Sequence, residues 1–218
     1  MDLSHIKVCL FDLDGTLSDP AEGIINSFLY ALRHYGIGPG KKEDYFSIIG
    51  PPLIDSFQTV CGFDKEKARE AVDYYREYFK AGGMFENVLY PGIPALLKKN
   101  RAAGRVNAVA TSKPEPFTLA ILENFGIREE FSYVAASTLD ETRTRKDEVI
   151  AYAFETFPIR KEETVMIGDR SYDILGAKKN GIPSIGVTFG YGDRKELEDA
   201  GADAIVDSVE ELGSLLQL

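Results

Sequence analysis

Two carboxylates separated by a single residue, Asp12 and Asp14, follow the apolar run Ile6–Phe11 in the order Asp12-Leu13-Asp14-Gly15-Thr16-Leu17. The run lacks alternation, as expected for a strand covered on both faces. Ligands of open α/β sheets bind beyond the carboxyl ends of such strands. Two carboxylates at that place repel each other unless a cation or a proton lies between them. A hard divalent cation such as Mg²⁺ supplies the counter-charge. Asp12 could then attack phosphorus, because a carboxylate needs no base to activate it. Asp14 could protonate the leaving oxygen and afterwards activate water. Gly15 allows the sharp turn beside the pair. A bare Asp-x-Asp is more often a solvated loop or a capped turn, so the groups further along the chain carry the decision.

Three later segments end on the same expected rim. Thr111-Ser112 follows the run Val106–Ala110, where hydroxyls and backbone N–H groups can hold phosphoryl oxygens; alone, the pair would read as a turn or a helix N-cap. Lys113 is left outside this set, since Pro114 beside it fits a turn. Lys146 closes the basic patch Thr142-Arg143-Thr144-Arg145-Lys146 and opens a helical pattern, Asp147–Phe157. A cation at a helix N-terminus meets the positive end of the dipole, a cost that a nearby anion removes. A phosphate role for Lys146 is therefore physically reasonable, with Arg145 as its rival, although a single lysine is more often solvated. Gly168-Asp169-Arg170-Ser171-Tyr172-Asp173 follows the run Thr164–Ile167. Asp169 joins Asp12 and Asp14 as an expected Mg²⁺ ligand. Asp173 either orients a metal-bound water or a cationic neighbour or simply caps the next helix.

These groups need a parallel sheet to bring them together. Short β-like runs (Ile6–Phe11, Val106–Ala110, Tyr133–Ala136, Thr164–Ile167, Ser184–Val187, Ala204–Val206) alternate with helical patterns such as Pro94–Ala103, Phe117–Phe125 and Ile174–Asn180. Gly104, Gly126 and Gly181 stand where left-handed helix ends are wanted. This alternation predicts a Rossmann-like α/β core with helices on both faces. Residues 19–88 break the pattern with helices alone. Asp19-Pro20 opens one, with Ile24, Ile25, Phe28, Leu29 and Leu32 as its stripe; Asp64 caps another, with Ala68, Val72, Tyr75 and Phe79 on one face. The expected organisation is a core of residues 1–18 and 89–218 with a small helical domain, 19–88, inserted after the first strand.

Of 218 residues, 44% are hydrophobic and 28% charged, and the net charge is −10. The composition is that of a globular protein, and the charge argues against nucleic acid or an anionic membrane as partner. Two cysteines, Cys9 and Cys61, read as reduced thiols. Residues 1–7 hold no apolar run of signal-peptide length, so a cytoplasmic location is expected, with the chain a monomer or homodimer.

The four segments, in their order, resemble the haloacid dehalogenase-like hydrolase superfamily, and the stretch Ile167–Gly190 is similar to its phosphoglycolate phosphatase-like branch. The resemblance covers essentially the whole chain. It implies a Mg²⁺-dependent phosphatase of small phosphorylated metabolites that works through a phosphoryl-aspartate on Asp12, with Asp14 as acid and base. It also implies a mobile helical cap, phosphate binding by Thr111 and Lys146, and metal held by Asp12, Asp169 and the backbone carbonyl of Asp14. The loop Gly50-Pro51-Pro52 is similar to the family's specificity loop but carries no basic residue to clamp a substrate carboxylate. A 5′-nucleotidase, a sugar-phosphate phosphatase and a phosphomutase share every motif. A phospho-acceptor signalling domain lacks the helical insertion and the acid two residues after the acceptor. A dehalogenase leaves Asp14 without a task.

Overall fold

The structure, a computed structural model, describes residues 2–140 and 142–218. The chain opens with strand β1 (Val8–Phe11) and passes through β2 (Ser18–Asp19) to helices α1 (Ala21–His34), α2 (Leu53–Cys61) and α3 (Lys65–Ala81). It returns through β3 (Val88–Leu89), α4 (Ile93–Ala102), β4 (Val106–Pro114), α5 (Glu115–Asn124), β5 (Tyr133–Ser137) and α6 (Lys146–Thr156). It ends in β6 (Thr164–Gly168), α7 (Ser171–Asn180), β7 (Ser184–Val187), α8 (Arg194–Ala200), β8 (Ala204–Val206) and α9 (Val209–Leu215). Two compact units result: residues up to Ser18 together with Leu89–Leu218, and Asp19–Val88.

The first unit is built on a six-stranded sheet in the order β5-β4-β1-β6-β7-β8, and each pairing within it is parallel. This is the expected Rossmann-like core. Because β1 lies between β4 and β6, all four of its residues are buried, which is why it reads as a continuous apolar run. Val8 stands level with Val106 and Thr164, and Phe11 with Val109 and Ile167. The three strands therefore end together, and whatever follows Phe11, Ala110 and Ile167 shares one rim. Val8, Leu10, Ala108, Ala110, Met166, Val149 and Ala177 form one side of the core, beneath α6 and α7. On the opposite side Asn107, fully buried, receives a hydrogen bond from Asn100 (2.7 Å) and donates to the carbonyls of Leu97 (3.0 Å) and Glu130 (3.1 Å). This polar knot joins β4 to α4 and to the turn after α5, and each of its partners would be costly to leave unpaired.

Strand β4 runs past the expected end at Ala110. Strand β5 keeps pairing with it, Thr111 against Ala136 and Pro114 against Ser137, across a shift of register. Thr111, Ser112 and Lys113 thus lie on a strand rather than in a turn. Gly181 ends α7 in the left-handed region with φ +72°, and Gly104 and Gly126 adopt φ +82° and +66°, as their positions predict.

The second unit is helical. Along α1, Ile24, Ile25, Phe28 and Leu32 are buried, while Leu29 is half-buried at the stripe's edge. Phe28 stacks on Phe57 of α2 with ring centroids 4.3 Å apart, and Tyr45 leans on it at 5.6 Å. Ala68, Val72, Tyr75 and Phe79 are the buried face of α3. Asp64 accepts a hydrogen bond from the Lys67 N–H (2.9 Å) at the start of that helix. Helix α1 begins at Ala21, one residue later than expected, with the Asp19 carboxylate accepting from the Ala21 N–H at 3.0 Å. Among the described residues no helix is long and apolar enough to cross a membrane.

Two stability outcomes follow. Asn107→Leu removes three buried hydrogen bonds and is expected to cost about 3 kcal/mol, read as a lower urea midpoint at unchanged slope. Asp64→Ala removes a helix cap and is expected to cost about 1 kcal/mol in the same measurement.

Candidate active site

The site grows from the ends of three adjacent strands, β4, β1 and β6. Asp12 follows β1 directly, and its backbone N–H donates to Ile167 O (2.9 Å), which ties it to the end of β6. Its Oδ1 accepts from the Leu13 N–H (2.8 Å). The chain then tightens: the N–H groups of Thr16, Leu17 and Ser18 all donate to Leu13 O. Gly15 sits inside this turn at φ +80°, where a Cβ would lie 2.1 Å from Asp169 Oδ2. Both the left-handed backbone and the close approach require glycine.

Asp169 follows β6 and is fully buried. Its Oδ1 accepts from the Thr16 hydroxyl (3.1 Å) and its Oδ2 from the Tyr191 N–H (2.9 Å). Burial, then the nearby charges of Asp173 and Asp12, push its carboxyl well above the usual range; the two hydrogen bonds oppose the rise. Asp173, at the third position of α7, does two things at once. Its Oδ2 accepts from the Arg170 N–H (3.0 Å), closing the helix end, and its Oδ1 lies 2.8 Å from Lys146 Nζ. The helix-end contact and the contact with a cationic neighbour are thus both present. Burial raises its pKa to about 6 against the pull of Lys146. A Cβ on Gly168 would collide with this carboxyl at 2.2 Å, so that glycine too makes room for an acid.

Lys146 is the first residue of α6 and its side chain is buried. Its Nζ lies 2.8 Å from Asp12 Oδ1 and donates to Ala110 O at 2.9 Å. Burial favours neutral Lys146, but the charges of Asp12 and Asp173 outweigh it and leave its pKa raised. These carboxylates are the anions that offset a cation at a helix N-terminus. Arg145 takes no part: its Nε pairs with Asp147 at 3.0 Å on the surface. Between the two rivals, the structure brings Lys146 to the site.

Thr111 is buried and its Oγ1 accepts from the Lys113 N–H (3.2 Å). Ser112, next on the strand, is half-buried. Lys113, the residue left out of the expected set, is buried as well, and its Nζ lies 2.6 Å from Asp14 Oδ2. Alternation along a strand puts Thr111 and Lys113 on one side, a signal that the Pro114 turn reading obscured. Asp14 is raised above the usual carboxylate range by burial, with Lys113 opposing. Its Oδ1 is buried and has no hydrogen-bond partner among the described residues.

The carboxylates that can share a cation are Asp12, Asp169 and Asp173, whose oxygens lie within 4.8 Å of one another. The Asp14 carboxylate is turned to Lys113 instead. Three hard oxygen donors at this spacing, with Lys146 the cation beside two of them, fit a divalent cation such as Mg²⁺.

Residues 9–187 match the family of haloacid dehalogenase-like hydrolases. The chain belongs to that family. It is 44% identical over 188 residues to a 5′-nucleotidase of Pseudomonas aeruginosa, covering 86% of this chain and 85% of that one. It is also 40% identical over 200 residues to the tyrosine-protein kinase PtkA of Mycobacterium tuberculosis, covering 92% of this chain and 68% of that one. The crystal structure of a predicted phosphatase from Clostridium acetobutylicum superposes with a TM-score of 0.94 at 48% identity, over 98% of this chain and 99% of that one. Family and relatives identify a phosphoric monoester hydrolase.

Gly15→Ala tests the packing of this haloacid dehalogenase-like site. Backbone strain alone is expected to cost about 1–2 kcal/mol, and the displaced Asp169 should weaken Mg²⁺ binding. Urea unfolding with and without Mg²⁺ checks both, since metal should stabilise the variant less than the parent.

Proposed function

We propose that this hydrolase releases phosphate from small monoesters through a phosphoryl group carried on Asp12, with nucleoside 5′-monophosphates as the first substrate class. The observation that carries the reading is the meeting of Asp12, Asp14, Thr111, Lys146 and Asp169 at the ends of adjacent strands. In this reading Asp12 attacks phosphorus and Asp14 hands a proton to the leaving oxygen. Asp14 then takes a proton from the water that frees Asp12. Thr111, Ser112 and Lys146 hold phosphoryl oxygens, and Asp173 fixes Lys146. Mg²⁺, held by Asp12, Asp169 and the backbone carbonyl of Asp14, would supply charge neutralisation at the phosphoryl group. The helical unit would select the leaving group.

The nucleotide preference rests on the 44% identical 5′-nucleotidase and on the absence of a basic residue in Gly50-Pro51-Pro52. That absence disfavours phosphoglycolate, whose free carboxylate needs a partner.

Phosphate release from nucleoside monophosphates, sugar phosphates and phosphoglycolate tests the proposal. Release is expected to require Mg²⁺, to stop on chelation, and to fall by at least about 10⁴-fold in Asp12→Asn with unchanged circular dichroism. Substantial turnover by Asp12→Asn would sink the covalent route, and a ranking led by phosphoglycolate would overturn the substrate class.

A further inference from the structure

The carboxylate of Asp169 is gripped by two donors from distant parts of the chain. The Thr16 hydroxyl, in the turn after β1, donates to Oδ1 at 3.1 Å. The Tyr191 N–H, in the loop between β7 and α8, donates to Oδ2 at 2.9 Å. Glycines of that loop crowd the same residue. A Cβ on Gly190 would lie 2.5 Å from both Cβ and Oδ2 of Asp169, and one on Gly192 would lie 1.9 Å from its backbone oxygen. Neither glycine has a positive φ, so both serve to leave space rather than to free the backbone.

The loop itself is fixed at its ends. The Thr188 N–H donates to Val206 O at 3.1 Å, and its hydroxyl to Asp207 Oδ1 at 2.6 Å. Phe189 meets Tyr90 edge to face, with ring centroids 5.2 Å apart. Asp193 caps α8 by accepting from the Glu196 N–H at 2.7 Å. Glu196 in turn accepts from the Ser171 N–H at 2.7 Å, two residues beyond Asp169. The Tyr191 donor is thus tied back to the segment whose carboxylate it holds.

We infer that Thr16 is a positioning residue for Asp169: its hydroxyl, set against the Tyr191 N–H, fixes the plane in which that carboxylate meets a divalent cation. The inference rests on the reading of Asp169 as a metal ligand and adds the device that aims it. A carboxylate free to rotate loses that freedom when it is ordered, at a cost in conformational entropy. Here rotation is stopped at both oxygens in advance. Acceptor capacity remains, since an ionised carboxylate offers about four lone-pair sites and the two donors occupy one each. Thr16 also couples two ligand-bearing segments, the turn after Asp12 and the end of β6, without itself touching metal or substrate.

Metal affinity, measured without substrate, is the readout. Mn²⁺, which suits carboxylate oxygens as Mg²⁺ does, is titrated into the full chain and the free ion followed by electron paramagnetic resonance. Mg²⁺ is measured by displacement of Mn²⁺. Thr16→Val and Thr16→Ala both remove the donor and are expected to weaken binding of each ion by about 10- to 100-fold, with unchanged circular dichroism. Thr16→Ser restores the hydroxyl and should recover most of that loss, which a variant that merely disturbed the turn would not do. Gly190→Ala presses a Cβ against the same carboxyl and should weaken binding by at least about tenfold; if it does not fold, the Thr16 series decides alone. Parent-like Mn²⁺ affinity in a folded Thr16→Val or Thr16→Ala, or a Thr16→Ser as weak as either, would overturn the inference and leave Asp169 a ligand. Parent-like affinity in Asp169→Asn would bring down the metal assignment and the inference together.

Discussion

Too many negative charges in too little water is the constraint on which this molecule is built. Asp12, Asp14, Asp169 and Asp173 gather at one end of a parallel sheet, and burial acts against the ionised form of at least three of them. Lys146 and Lys113 are the protein's own answer, and a divalent cation is the answer its family implies. The surrounding backbone is shaped by the same requirement. Gly15, Gly168 and Gly190 stand where any side chain would run into the carboxyl groups or the turn that carries them. Gly176 lets the stem of Lys146 pass, since a Cβ there would lie 2.9 Å from Lys146 Cγ. The glycines of the site are the space that the acids and their lysine occupy.

Much of this was readable in the amino-acid sequence, because the sheet's periodicity is a local property. Strands β7 and β8 fall on the expected residues, and β1 and β5 differ only at their ends. A parallel strand buried on both faces must be apolar throughout, and the sequence displays that directly. Helices α2, α8 and α9 are short and give too few turns for a periodic stripe to stand out.

What the sequence obscured depends on neighbours. The extension of β4 to Pro114 is imposed by β5, which lies elsewhere in the chain, and a turn-forming proline pointed the other way. Lys113 was lost with that extension. The choice between Lys146 and Arg145 is likewise tertiary: adjacent basic residues look alike in sequence, and the partners that hold Lys146 inward, Asp12, Asp173 and the Ala110 carbonyl, come from three other elements. The two-sided use of Asp173, helix end and lysine partner, combines readings that seemed to compete.

The sheet order has a consequence for how the protein comes into being. Strand β1 precedes the five other strands of its sheet in the chain and so leaves the ribosome before them, yet it occupies the middle of the sheet, between β4 and β6. Its second neighbour is complete only when residue 168 has been made. Until then the segment Val-Cys-Leu-Phe has no finished sheet to enter, an exposed apolar strand of the kind that invites wrong pairings. The helical insertion that follows it draws on a continuous stretch of chain, 19–88, with its own aromatic core, and so can condense early. The stretch that follows the most vulnerable strand is thus a compact unit of its own, and Asp12 has both neighbouring strands only once β6 has been made.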